Sequence, residues 1–517
     1  MGDAKVSENG TEKVSESKVL TENPKYYKTY PEREVHEKFF RDVFEIILKD
    51  ALFEGIQRDQ PVVRFEQPHD LWKILNLKLG RDPAHNHDVL LDLVKDVIKY
   101  SVKTGHPYFI NQLYSGIDPY GVAAEWVASA LNGSVYTYEV APVFTLMELE
   151  VFERMRNIIG FPKNQGDGLF CPGGSLANGY AISVARYKKR PEIKELGLSG
   201  VKPMIMFVSE DAHYSFKKLA SFQGIGLKNV VGVKVDSRGK MNVTELDKEI
   251  QSSIDKGFDP FLVSATAGTT VLGAFDPIDE IAEVCKKYGL WLHVDGAWGG
   301  GALMSDTYRD LMKGIEKADS VTWNPHKLLC APQQCSTFLL KDGTIATDAH
   351  ATRATYLFQQ DKFYEAQFDT GDKHIQCGRR ADVLKFWLMW KAKGKDGFEA
   401  HIDHIFGLAK FCVEELRRRG PSFKLLLEDP ECTNVVFWYI PPSLQDMNQS
   451  SPEFWDRIHK IAPKIKERMM RQGTMMCTYQ PLRQYQNFFR VVIQSSEVNE
   501  KDVTYFLDEI EKCGKDL

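Results

Sequence analysis

A chain of 517 residues, 43% hydrophobic and 26% charged, can bury a large core and should divide into two or three domains. Its net charge of -5, its pI near 6.3 and the lack of any Lys/Arg run interleaved with aromatics exclude nucleic acid as a partner; no apolar run approaches the roughly 18 residues that span a bilayer. Nine cysteines without a C-x-x-C pair read as free thiols, not as a disulfide framework or a zinc site, and no apolar signal-peptide core is visible, so the cytoplasm is the expected compartment.

Residues 1–24 are rich in Lys, Glu, Ser, Asn and Gly and cannot bury enough apolar surface to offset their ordering entropy, which predicts a disordered tail. A helical N-terminal domain is expected over 25–115. There Val35, Phe39, Val43, Ile46, Ile47 and Ala51 recur at helical spacing, and a second amphipathic run covers 90–102. Over 116–390 helical runs alternate with short β-rich runs at 204–208, 230–233 and 261–264, the pattern of an α/β domain with a mostly parallel sheet. Over 391–517 a long helix near 402–419 precedes strand-like runs at 434–439 and 489–493, which predicts a smaller α+β domain.

The chemistry concentrates in the middle domain. Cys171-Pro172-Gly173-Gly174-Ser175 precedes a helical run, and glycines at a helix N-terminus admit an anion close to backbone N–H groups. The run is neither a dinucleotide G-x-G-x-x-G nor a Walker loop. Trp291-Leu292-His293-Val294-Asp295 reads as a buried parallel strand with a carboxylate at its C-terminal end, where ligands sit in open α/β sheets, followed by a glycine-rich stretch. Ser320-Val321-Thr322-Trp323 reads as a second strand ending at the same edge, and Asn324-Pro325-His326-Lys327 follows it.

Taken singly, a lysine after Pro-His is ordinarily a solvated loop cation, and Gly-Gly-Ser an ordinary turn. Together with His213 the groups read as a pyridoxal 5'-phosphate (PLP) site. An aldehyde cofactor needs an amine, Lys327, to hold it as a Schiff base. Its pyridine nitrogen stays protonated beside a buried carboxylate, Asp295, and an imidazole, His213, can stack on its ring.

Longer motifs add a family resemblance. His106-Pro107-Tyr108-Phe109-Ile110-Asn111-Gln112-Leu113, Tyr136-Thr137-Tyr138-Glu139-Val140-Ala141-Pro142-Val143-Phe144, the Asn324–Lys327 stretch, and Asp369-Thr370-Gly371-Asp372-Lys373 leading to Cys377-Gly378-Arg379-Arg380 resemble the acidic-amino-acid branch of the group II PLP-dependent decarboxylases. That branch includes glutamate decarboxylase, cysteine sulfinate decarboxylase and the animal, especially insect, aspartate 1-decarboxylases, and the resemblance covers nearly everything from residue 27 to 517.

The resemblance implies a PLP-dependent fold type I (aspartate aminotransferase-like) and a homodimer with shared active sites. It implies that Lys327 carries the Schiff base, Asp295 pairs with the pyridine nitrogen, His213 and Ala297 cover the two ring faces, and Thr266 lies near the cofactor hydroxyl. Gly174, Ser175, Asn324 and His326 would hold the phosphate, Tyr364 would return a proton to the substrate Cα, Arg490 would grip the substrate's side-chain acid, and Asn111 and Gln112 would touch the substrate. One departure is Gly296, where the family usually has alanine.

Arg490 in that role demands an acidic substrate, because guanidinium pairs bidentately with carboxylate and less ideally with sulfinate. Aspartate and cysteine sulfinate have similar reach; glutamate is one methylene longer, a difference of about 1 to 3 kcal/mol in a fitted pocket. Gln333 resembles the aspartate decarboxylases at a position where the glutamate and vertebrate cysteine sulfinate enzymes are apolar, and Tyr108 points the same way. The expected reaction is L-aspartate to β-alanine and CO2, with cysteine sulfinate to hypotaurine second and glutamate to GABA third. An aminotransferase and a catalytically silent cofactor-binding scaffold are the alternatives from other classes.

Overall fold

The computed structural model describes residues 33–81, 84, 86–359 and 361–517. The tail expected over residues 1–24 lies outside the described residues. The chain forms two compact units, one from Met1–His106 with Glu467–Met475, the other from Pro107–Lys466 with Met476–Leu517.

In the first unit the helical run from Val35 is present as Arg33–Ile46, continued by a wider turn over Ile47–Phe53. The second run forms the helix His87–Tyr100, which starts where the Asn86 side chain accepts the Val89 N–H at 3.1 Å. The rings of Phe39 and His87 lie 4.6 Å apart between these helices.

The second unit is built on a seven-stranded sheet. Its strands are β1 (Asp167–Cys171), β2 (Met204–Ser209), β3 (Val230–Val233), β4 (Asp259–Thr266), β5 (Trp291–Gly296), β6 (Ser320–Trp323) and β7 (Ser336–Leu340), in the order β1-β7-β6-β5-β4-β2-β3. Only β7 runs against its neighbours, so the carboxyl ends of the other six share one edge. Every residue of β2, β4, β5 and β6 is buried, as expected of a sheet covered on both faces. The helix Gly174–Lys189 lays Tyr180, Ala181 and Val184 on that sheet, in a core with Met206 and Phe338.

A second, antiparallel sheet holds β8 (Phe423–Leu425), β9 (Asn434–Tyr439), β10 (Thr478–Leu482) and β11 (Tyr485–Val492), in the order β10-β11-β9-β8. The helix expected near 402–419 is the C-terminal part of a longer one, Val383–Arg418, bent where Gly394 takes φ 63°, a left-handed conformation that costs a residue with a Cβ far more. The α/β class with a mostly parallel sheet and a smaller α+β region is therefore present.

Candidate active site

The carboxyl edge of the large sheet surrounds a cavity of about 160 Å³. Thr266 ends β4, Asp295 stands one residue before the end of β5, and Asn324, His326 and Lys327 follow β6. Gly174 and Ser175 open the helix that follows β1, and His213, Ala297 and the former residues all line the same cavity. Nine residues drawn from five parts of the sequence are thus brought together.

Each is held by local chemistry. The Asp295 carboxylate accepts the Asn178 Nδ2–H at 2.8 Å on one oxygen and the Ala297 N–H at 3.1 Å on the other. The Ser215 N–H donates to His213 Nδ1 at 3.3 Å, which makes Nδ1 an acceptor and puts the ring proton on Nε2. Burial lowers the His213 pKa further than Asp295 raises it, so the ring is neutral at physiological pH. His326 is pushed down to about 4, chiefly by burial, and its Nδ1 lies 2.7 Å from the Cys335 carbonyl.

Lys327 is the reactive candidate. Burial, opposed by Asp295 and assisted by the Arg490 cation, lowers its pKa below the ordinary lysine value and raises its share of free, nucleophilic amine. Its backbone is pinned by N–H donation to the Asn324 carbonyl at 3.0 Å and by acceptance from Cys330 N–H at 3.0 Å.

The cavity walls fit a phosphorylated pyridine aldehyde. Gly173 takes φ 102° and has no side chain to cap the following helix, whose geometry leaves the Gly174 and Ser175 amides for an anion. A Cβ at Gly174 would stand 2.7 Å from Asn324 Nδ2 and 3.4 Å from the Ala297 methyl, so glycine keeps the cradle open. Thr266 Oγ1 and Asn324 Oδ1 are buried with no protein partner, and both border the cavity. Unpaired buried polar atoms are costly, and a polar ligand offsets that cost. The turn after Asp295 is tight at Gly296, where a Cβ would lie 3.1 Å from the Thr322 carbonyl.

Other expected residues stand outside this cavity. Arg490, on β11, is 6% exposed and donates to the Thr270 carbonyl at 2.7 Å and the Asn111 carbonyl at 3.1 Å; its Nε has no partner. Thr270 itself borders the cavity, which brings Arg490 and Asn111 to its rim, and Lys466 Nζ donates to Asn111 Oδ1 at 3.0 Å. Tyr364 packs on Tyr138, with ring centroids 5.2 Å apart, and donates to Asp369. Tyr108 is buried and stacks on Tyr505 at 4.2 Å, while Gln112 is exposed. Gln333 is exposed and borders a separate cavity of about 430 Å³ with Arg379 and Glu125.

Sequence reasoning missed Asn178. Its one visible signal is its place four residues after Gly174, on the same helical face as the anion cradle. Thr270 and Trp298 were missed too; the Trp298 indole donates to Asn434 Oδ1 at 2.8 Å and so ties the cavity wall to β9.

Comparison with known proteins gives the site its family. Residues 68–440 match the pyridoxal-dependent decarboxylase conserved domain. The acidic amino acid decarboxylase GADL1 of Xenopus tropicalis is 51% identical over 482 residues, covering 93% of this chain and 93% of that protein. The human cysteine sulfinic acid decarboxylase is 49% identical, covering 93% of this chain and 97% of that one. The crystal structure of mouse CSAD superposes with a TM-score of 0.90 at 47% identity, over 93% of this chain and 99% of that one. Decarboxylase homology over this length sets aside the aminotransferase and the silent scaffold. The cavity with its lysine, carboxylate, imidazole and glycine cradle is the candidate cofactor site of a PLP-dependent carboxy-lyase, and the chain belongs to the pyridoxal-dependent decarboxylase family.

Proposed function

We propose that the protein removes the α-carboxylate of a short acidic amino acid, with L-aspartate, giving β-alanine and CO2, as its preferred substrate. The observation that carries the acidic class is Arg490. Its guanidinium is buried, no carboxylate pairs with it among the described residues, its donors reach only backbone carbonyls, and burial pushes its pKa down to about 10. Buried charge without a counter-charge is costly, and a substrate's side-chain acid supplies the missing anion. Lys466, held on Asn111, adds a second cation nearby. The relatives' names include both acidic amino acid and cysteine sulfinic acid decarboxylases, so cysteine sulfinate is the second reading.

Bound in the cavity, PLP supplies an electron sink for the bond that breaks as CO2 leaves. Lys327 would hold the cofactor, and its lowered pKa would leave it the free amine needed to release the product. Asp295 would hold the proton on the pyridine nitrogen, and neutral His213 and Ala297 would cover the ring. The Gly174 and Ser175 amides, with Asn324 and His326, hold the phosphate, and Thr266 Oγ1 meets the cofactor hydroxyl. Arg490 and Asn111 would bind the side-chain acid and orient the substrate for loss of its α-carboxylate. Tyr364 then delivers a proton to Cα.

Tyr364 does not line the Lys327 cavity of its own chain, and we take the active form to be a homodimer in which each chain lends its tyrosine loop to the other. Leu131, Val143 and Leu146 are 62%, 58% and 47% exposed, an apolar surface that a second copy would cover. No described helix is long and apolar enough to cross a membrane, and we propose the cytoplasm as the enzyme's compartment.

The test is a competition. Purified protein with PLP receives equimolar aspartate, cysteine sulfinate and glutamate, and CO2 and the amines are quantified. β-Alanine should dominate; dominant hypotaurine would overturn the aspartate preference, and absence of all three amines would overturn the acidic class.

A further inference from the structure

Asp295 is the end of a hydrogen-bond chain whose direction can be worked out from that end. An ionised carboxylate only accepts, so the Asn178 atom 2.8 Å from Asp295 Oδ2 is the amide nitrogen, which also donates to Ser215 Oγ at 3.0 Å. Asn178 Oδ1 therefore faces Thr322 Oγ1 at 2.9 Å and His293 Nε2 at 3.2 Å. Two acceptors do not face each other, so His293 Nε2 carries a proton. Complete burial pushes the His293 pKa down to about 4, leaving the ring a single proton and making Nδ1 a bare acceptor. The Ser320 hydroxyl, 2.9 Å from Nδ1, must then donate to it, and the Trp291 indole N–H donates to Ser320 Oγ at 2.8 Å.

Strand geometry builds this array. Trp291, His293 and Asp295 alternate along β5 and so share one face; Ser320 and Thr322 share the same face of β6, paired with His293 and Asp295 in register. Asn178 covers them from the helix above. Along the path from Trp291 through Ser320, His293 and Asn178 each link donates toward Asp295, and chains of aligned hydrogen bonds polarise one another in a low-dielectric interior. Through Ser215 the same amide also reaches the segment whose N–H fixes the His213 tautomer.

We infer that Asn178 is a positioning residue: its amide, oriented by the one-way chain Trp291 to Ser320 to His293, sets how firmly the Asp295 carboxylate holds the proton on the pyridine nitrogen of PLP. This rests on the proposed pairing of Asp295 with that nitrogen. Asn178→Asp keeps size and the Oδ1 acceptor but turns the donor toward Asp295 into a repelling oxygen. Ser320→Ala removes one hydroxyl two residues back along the chain.

The experiment reads two quantities in each variant: the PLP dissociation constant of the apoprotein, and the ¹⁵N chemical shift of the pyridine nitrogen in bound ¹⁵N-labelled PLP, with apoprotein melting as the check on folding. Asn178→Asp should weaken PLP by at least about tenfold and move the nitrogen signal toward the unprotonated position; Ser320→Ala should weaken it by about threefold and move the signal the same way by less. Unchanged affinity and signal in a folded Asn178→Asp overturn the inference, and if that variant does not fold, an unchanged Ser320→Ala overturns it. Asp295→Asn separates the underlying reading: if its nitrogen signal is also unmoved, the pairing itself is wrong, whereas movement there with none in the other two condemns the array alone.

Discussion

The Tyr364 hydroxyl donates to Asp369 Oδ1 at 3.0 Å, and the same carboxylate takes the Tyr138 N–H at 2.9 Å and pairs with Lys362 at 2.8 Å. The tyrosine loop is thereby tied to the Tyr136–Phe144 motif of its own chain. Phe363, beside it, is 95% exposed.

Tyr364→Phe removes the proposed proton donor and leaves the ring packing on Tyr138. Amine formation should fall by about 100-fold to 10,000-fold, the usual range for a lost general acid, with PLP binding unchanged. Misdirected protonation should convert substrate to aldehyde and leave the cofactor in its amine form, so chromatography of cofactor and products gives the check. Sustained wild-type amine production would exclude this tyrosine as the donor.

Lys327→Ala should abolish turnover, because the variant loses the amine proposed both to bind the cofactor covalently and to free the product. The near-visible absorption of the lysine-linked cofactor should vanish in the same sample. Steady-state activity of a cofactor-loaded variant at the wild-type level would assign the chemistry to another amine.

Arg490→Lys retains one positive charge but cannot donate to the Thr270 and Asn111 carbonyls and still present a fork to the substrate. A loss of about 2 to 3 kcal/mol, 30-fold to 150-fold in kcat/KM for acidic substrates, is expected, mostly in KM. PLP affinity measured on the same preparation should not change. A variant with wild-type KM would remove Arg490 from substrate binding.

Much of the fold and of the candidate site could be read in the sequence because a parallel strand with a carboxylate near its carboxyl end declares both its burial and the sheet edge where a ligand would sit. β5 with Asp295 and β6 with the lysine stretch are the cases in point. Asn178 was not legible, since a polar residue in a helix is ordinarily a solvent-facing one, and its partner Asp295 is 117 positions away. The start of the long helix was hidden by Gly394, whose left-handed turn interrupts the periodicity at Val383–Arg418. Gln333 shows the limit of counting positions. The chain doubles back after Lys327, with Cys330 at φ 57° and the His326 N–H bonded to the Cys335 carbonyl at 3.2 Å, so six positions along the chain lead to a different cavity.

Stability should fall as the pH drops from neutrality to 5. Burial pushes His293, His326, His350 and His401 down to about 4 from an ordinary 6.5. Between those values the unfolded chain binds protons that the folded chain refuses, so stability rises with pH across that window, by on the order of 1 to 3 kcal/mol per histidine. Asp276, pushed up to about 7 by burial, and Asp211, Asp319 and Asp382, which burial also raises, work in the opposite sense, but burial lowers His213 and His374 as well, so four carboxyls are set against six imidazoles. The apoprotein melting temperature at pH 7.0 and pH 5.0 gives the comparison, and His401→Gln should flatten the difference. A higher melting temperature at pH 5.0 would mean that these rings are protonated inside the fold.

Gln333 bears on substrate choice. It borders a cavity with Arg379 and Glu125, exposed on its own chain and apart from Lys327, so the aspartate reading requires that this surface face the active site of a second copy. Arg379 is not free to serve there, since it forms a two-bond pair with Glu148 at 2.8 and 3.0 Å. Gln333 is, in contrast, a carboxamide with a donor to offer a planar carboxylate, and a sulfinate presents its oxygens at another angle. Gln333→Leu should therefore lower kcat/KM for aspartate by about 1 to 3 kcal/mol, roughly 5-fold to 150-fold, and lower that for cysteine sulfinate by less. The measurement is the ratio of the two specificity constants in variant and wild type, with sedimentation comparing the oligomeric state of the two. An equal loss for both substrates would assign Gln333 to the subunit contact, and no loss for either would leave aspartate without a residue that prefers it.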